Sequence, residues 1–151
     1  MAAGPVVKKI MAAYQGKIRL VIKNYPYIYR DYSHLAAEAS LAARDQGKYW
    51  EMHDLLLKRS PKLDRGSLIR YAGELGLEVK KFTEAIDGKK HAAEIERDKE
   101  LAVKMDLYNT PTFFINGRKV IGERPFEYFK KIIDEELREA RWRYPQILDE
   151  Y

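Results

Sequence analysis

The chain has 151 residues, enough for one domain with a substantial core. Its 28 basic and 23 acidic residues leave a net charge of +5, and the two signs are interspersed, which reads as a solvated surface rather than a nucleic-acid footprint. It holds no cysteine, which excludes disulfides, thiolate metal sites and a cysteine nucleophile within these residues. No apolar run approaches the length of a membrane span and no signal-peptide pattern opens the sequence, so as written the chain is expected in the cytosol and off the membrane.

Pro5 opens a helical pattern, with Val7, Ile10, Met11 and Tyr14 on one face and Gly16 as the stop. In Lys17 to Lys23, Ile18, Leu20 and Ile22 alternate with Arg19, Val21 and Lys23, which predicts a strand ended by Asn24-Tyr25-Pro26-Tyr27. Ser33 is placed to cap an alanine-rich helix from His34 to Gln46, and Gly47 breaks it. Further helices are predicted over Tyr49 to Leu57, Arg65 to Leu75 with Asp64 as cap, Glu78 to Asp87, and Lys89 to Leu107. Next come two strand-like runs, Thr112 to Ile115 and Arg118 to Ile121. Asn116-Gly117 lies between them, the dipeptide that most readily supplies two positive φ angles for a type I′ turn. Pro125 starts a last helix with the stripe Phe126, Phe129, Ile133, Leu137 and Ala140. The tail from Trp142 to Tyr151 is expected to fray or to pack as an extension.

Pro111 cannot donate to a sheet ladder, so it stands at the mouth of the first hairpin strand. Two roles are open to it from the residues alone. It either ends the preceding helix, or forms a fixed cis peptide with Thr110, since an X-Pro bond pays little for the cis form.

Several segments carry a family resemblance. The run Gly16-Lys17-Ile18-Arg19-Leu20-Val21-Ile22-Lys23-Asn24-Tyr25-Pro26 resembles the strand and aromatic-proline turn that follow the active-site helix of DsbA-like thioredoxin-fold proteins. Ala36-Ala37-Glu38-Ala39, and Gln46-Gly47-Lys48-Tyr49-Trp50-Glu51-Met52-His53-Asp54, resemble the first inserted helices of that family. Thr110-Pro111-Thr112-Phe113-Phe114-Ile115-Asn116-Gly117 resembles its cis-proline loop and hairpin. The resemblance runs from about Pro5 to Leu137. It implies an α/β (α+β) thioredoxin-like fold as a single domain over residues 1–151, with a helical insert over about 33–107. It also implies a cis Thr110–Pro111 bond and a loop, Asn109-Thr110-Pro111, that pairs with an extended peptide or protein partner by strand addition.

The family's Cys-x-x-Cys motif, and the strand leading into it, have no match here. By spacing the motif would fall just before Met1. That strand is the central one of the family's sheet, between Ile18–Lys23 and the hairpin. Two readings follow. One is a degenerate family member, non-catalytic alone, that retains peptide binding and uses no cofactor. The other is a fragment of a thiol–disulfide oxidoreductase of the periplasm or cell envelope, with strand and motif upstream of residue 1. A glutathione-linked enzyme is a third reading, opposed by the lack of any serine or threonine between Met1 and Tyr14. The open sheet edges around the missing strand lead to the expectation of a homodimer, through the first helix or Ile18–Lys23.

Other chemistry finds little support. His34, His53 and His91 have no metal-ligand spacing and read as surface or packing residues, so no metal site is expected. Tyr25, Tyr27, Tyr29 and Tyr32 near Lys23 and Arg30 read either as a stacking surface or as a hinge filled by amphipathic rings, with the hinge favoured. Phosphate-loop, nucleophile-elbow and zincin motifs do not occur.

Overall fold

The computed structural model describes residues 3–143, which form α1 (Ala3–Ala13), α2 (Ser33–Arg44), α3 (Tyr49–Arg59), α4 (Arg65–Glu74), α5 (Val79–Asp87), α6 (Ala92–Lys104), β1 (Thr112–Ile115), β2 (Arg118–Ile121) and α7 (Phe126–Arg143). From Tyr144 onward the predicted tail lies outside the described residues. The chain divides into two compact units, Met1–Ile22 with Leu107–Tyr151, and Lys23–Asp106.

In the first unit, α1, the turn after it and α7 supply Ile10, Tyr14, Phe129, Ile132 and Ile133 to a buried cluster that Val120 of β2 completes. Val6, Ile18, Phe113, Ile115, Phe126 and Leu137 pack against it, so the predicted stripe of the last helix, apart from Ala140, faces this core. The hairpin has the register the turn dictates, with Ile115 opposite Arg118 and Thr112 opposite Ile121. Asn116 (φ 48) and Gly117 (φ 93) take the two positive angles that a type I′ turn requires. Phe113 meets Phe129 edge-on at 4.8 Å, and Arg118 pairs with Glu135 at 2.6 Å, so β1 and β2 are each fastened to α7.

The second unit is helical. Met52, Leu68, Tyr71, Phe82 and Ile86 lock α2, α3, α4 and α5 around the alanine face of α2, where small side chains let neighbours approach closely. Asp64 caps α4, its carboxylate accepting the Ser67 N–H at 3.0 Å and the Ser67 hydroxyl at 2.6 Å. Ser33 is not the cap of α2. It is the first helical residue, and Tyr32 precedes it with φ 63. Nor does α6 reach back to Lys89, which takes a left-handed φ of 48 and leaves α6 to begin at Ala92.

One expected strand is not formed. Ile18, Leu20 and Ile22 are half-buried while Arg19, Val21 and Lys23 are exposed, so the strand's alternation is kept. The only sheet among the described residues is the β1–β2 pair, however, and the segment joins no ladder. Period-2 burial needs only an apolar surface beneath the chain. A ladder needs a neighbouring strand, and neither β1 nor β2 takes that place. Ile18–Lys23 does not pair with the hairpin.

Candidate functional site: the Asn109–Pro111 loop

After α6 the backbone turns at Met105 and at Asp106, whose φ of 56 is left-handed, before entering Leu107 to Pro111. The loop is built by local bonds. The Thr112 hydroxyl donates to the Asn109 carbonyl at 2.7 Å, and the Gly122 N–H donates to the Pro111 carbonyl at 2.8 Å. The second bond extends the hairpin ladder by one rung, which fixes Pro111 directly before β1. The Thr110–Pro111 peptide is cis. Asn109 and Thr110 are exposed and Pro111 is half-buried, so the three residues form an accessible ridge at the mouth of β1.

The register also decides where the β1 backbone groups point. A two-residue turn makes its flanking pair, Ile115 and Arg118, exchange both hydrogen bonds, and alternation puts Phe113 with Val120 in the same class. The Pro111–Gly122 bond continues that series. The N–H and C=O of Thr112 and Phe114 therefore point away from β2, along the outer edge that runs on from the loop.

The remaining candidate residues are scattered. His34 is exposed, His53 is stacked on Tyr49 at 6.0 Å, and His91 is buried with its Nε2 3.0 Å from Asp45. No group of three or more His, Asp or Glu among the described residues is placed to hold a metal ion. In the tyrosine segment, Tyr27 meets Tyr25 edge-on at 5.7 Å and stacks on Tyr29 at 5.0 Å, with Tyr29 and Tyr32 largely exposed.

Sequence reasoning passed over the buried polar groups of the helical unit. Glu38 is 1% exposed and its Oε2 accepts the His91 N–H at 3.1 Å, at the head of α6. Asp98, also buried, accepts from Lys23 Nζ at 2.8 Å and from the Asn24 N–H at 2.9 Å, and so anchors the start of that unit. A signal existed for Glu38, the one charge in the small and apolar run from Leu35 to Ala43. Asp98 had none, standing in a stretch of charges from Glu94 to Glu100.

The strongest titration effect lies in the first unit. The buried Tyr14 phenol is pushed up to about 12, chiefly by burial and then by its hydrogen bond to Asp134. It donates to Asp134 Oδ1 at 2.6 Å. Lys130 and then Tyr14 hold the Asp134 carboxylate below its ordinary range.

Comparison with known proteins accounts for this architecture. A thioredoxin family model matches residues 2–135. A thioredoxin-like oxidoreductase from Silicibacter pomeroyi superposes with a TM-score of 0.80 at 29% identity, over 90% of this chain and 78% of that one. Alpha-DsbA1 from Wolbachia pipientis superposes with a TM-score of 0.76 at 27% identity, over 91% of this chain and 78% of its own. A curated protein titled Na(+)/H(+) antiporter NhaA 3, from Salinispora tropica, is 35% identical over 142 residues. Those residues are 93% of this chain and 22% of that protein, so the chain spans about a fifth of that relative's length. No helix among the described residues is long and apolar enough to cross a membrane. Because the family model covers nearly the whole length, residues 2–135, the chain belongs to the thioredoxin family.

Proposed function

We propose that this polypeptide is a DsbA-like thioredoxin-fold protein that recognises extended polypeptide at Asn109-Thr110-Pro111 and does not itself exchange disulfides. Thiol–disulfide exchange passes through a thiolate and a mixed disulfide, and none of the 151 residues is a cysteine. That observation carries the negative half of the reading. The positive half is supported by the exposed ridge of Asn109 and Thr110, which continues into the outward-facing backbone of β1. An extended chain laid along it would gain main-chain hydrogen bonds in the manner of strand addition.

The experiment is a titration with fluorescein-labelled insulin B chain, reduced and alkylated so that it can form no disulfide. Chemical-shift changes are expected at Asn109, Thr110 and Pro111. Thr110→Pro, which removes a backbone donor, is expected to weaken binding by about tenfold, the worth of one well-made hydrogen bond. Shifts confined to other parts of the molecule, or an unchanged affinity in that variant, would contradict the reading.

A second reading is favoured by the coverage of the solved neighbours, of which about a fifth has no counterpart here. In it these residues are part of a DsbA-family oxidoreductase whose strand and Cys-x-x-Cys precede residue 1. The DNA upstream of Met1 separates the two, since an in-frame strand and Cys-x-x-Cys would select the second. A longer parent of that kind would belong to the periplasm or cell envelope. The antiport named for the Salinispora relative is not carried over, because the matched part is a minor share of that protein.

A further inference from the structure

The helical unit opens on a segment without helix or strand, Asn24 to Tyr32, that places large apolar groups where a chain ordinarily places small polar ones. The Arg30 N–H donates to the Tyr27 carbonyl at 3.3 Å and closes a turn whose central residues are Ile28 and Tyr29. Glycine, proline, asparagine, aspartate and serine are the usual occupants of such corners. Here Ile28 is 93% exposed and Tyr29 73% exposed, with Tyr32 close behind at 48%. The turn is propped from below. Pro26 is buried, Tyr27 meets Tyr25 edge-on and stacks on Tyr29, and the Arg30 guanidinium lies 6.0 Å from the centre of the Tyr27 ring. Asp98 holds the start of the segment through Lys23 and the Asn24 N–H.

We propose that the Tyr27–Arg30 turn is a lipid-surface anchor, in which Ile28 and Tyr29 enter the apolar edge of a bilayer while Tyr27 and Arg30 stay at the level of the headgroup phosphates. The order of the side chains carries the choice of lipid. The central residues of a turn stand farthest out and the first and fourth stand at its base. The turn therefore presents an aliphatic tip, then phenol rings, then a guanidinium. Apolar, amphipathic, cationic is also the order of groups that suit a bilayer from acyl chain to phosphate. A globular partner fits less well, because a specific protein interface takes about 800 Å² from each side and two corner side chains fall far short of that. Stacking on a base fits less well too, since Tyr27 is already engaged by Tyr29 and Arg30. Asp31, exposed beside Arg30, tempers the attraction to anionic lipid and leaves the apolar tip the larger share. The expectation of a chain off the membrane rests on the lack of an apolar run long enough to span one, which a reversible surface contact does not need.

The anchor is separate from recognition at Asn109–Pro111, and the test reads the two apart. The intact 151-residue protein is sedimented with vesicles of phosphatidylcholine alone and with vesicles that also contain phosphatidylglycerol. Saturable binding is expected, tighter on the anionic vesicles. Ile28→Ser is expected to weaken binding to both by about tenfold or more, through the lost aliphatic group. Arg30→Gln is expected to weaken binding to the anionic vesicles by about fivefold, the worth of one cation at such a surface. Ile28→Trp is expected to bind more tightly than the parent, a gain that a misfolded variant would not give. The unfolding midpoint in urea is expected to be unchanged in Ile28→Ser, because that side chain packs on nothing. No binding to either vesicle, or equal binding by Ile28→Ser, would overturn the inference. Binding that follows vesicle charge alone would assign it to the net charge of the protein and overturn it also. Should Ile28→Ser instead lower affinity for the alkylated insulin B chain with no vesicle binding by the parent, the turn would belong to polypeptide recognition and the lipid anchor would fall.

Discussion

Tyr14 shows how one side chain reports on the packing of the first unit. Its phenol is buried and donates to Asp134 Oδ1 at 2.6 Å, so ionisation would place an anion in an apolar site beside a carboxylate. The folded protein therefore keeps this proton up to about 12, above the ordinary value of 10.0. The unfolded chain releases it first, so the stability the group contributes is complete below the ordinary value and is lost as pH rises through the folded one. Phenolate absorbance is expected to show one tyrosine titrating last, near 12, and Tyr14→Phe to remove that step at a cost of about 1 kcal/mol at neutral pH. A single titration of all tyrosines near 10 would contradict the burial.

At the scale of elements, what was legible is what local chemistry decides. The hairpin bounds could be read to the residue because Asn116-Gly117 fixes both turn and register, and Asp64 could be named as a cap because its side chain acts within one turn. The failures are of a different kind. Lys89 and Lys90 suit a helix by propensity, yet the backbone there has to turn before α6 can dock. Ile18–Lys23 has a strand's alternation but no partner, and a partner is not written in the segment itself. The loop Asn109–Pro111 was legible through resemblance; its exposure and its hydrogen bonds to the hairpin were not. The helical unit depends on long-range packing, and Phe82 is the largest of its completely buried side chains. Phe82→Ala is expected to cost about 3–5 kcal/mol in urea unfolding through the cavity it leaves. A loss under about 1 kcal/mol would mean that α5 packs elsewhere.

For the whole molecule, the prediction concerns association through the open edges of the first unit. We expect the isolated chain to form a homodimer, with α1 or the Ile18–Lys23 segment at the contact, because open apolar edges recruit neighbours, while the exposed Arg19 and Lys23 on that segment oppose pairing. Light scattering at micromolar concentration checks this. A clean mass near 17.7 kDa would contradict it.

The central claim is that a thioredoxin fold persists here apart from thioredoxin chemistry. Turnover by the purified 151-residue protein tests it most directly, with insulin reduction and dithiol-peptide oxidation measured in buffers cleared of contaminating thiols. No rate above the buffer blank is predicted, because no residue can form a mixed disulfide. Catalytic turnover that persists after thiol removal would contradict the account.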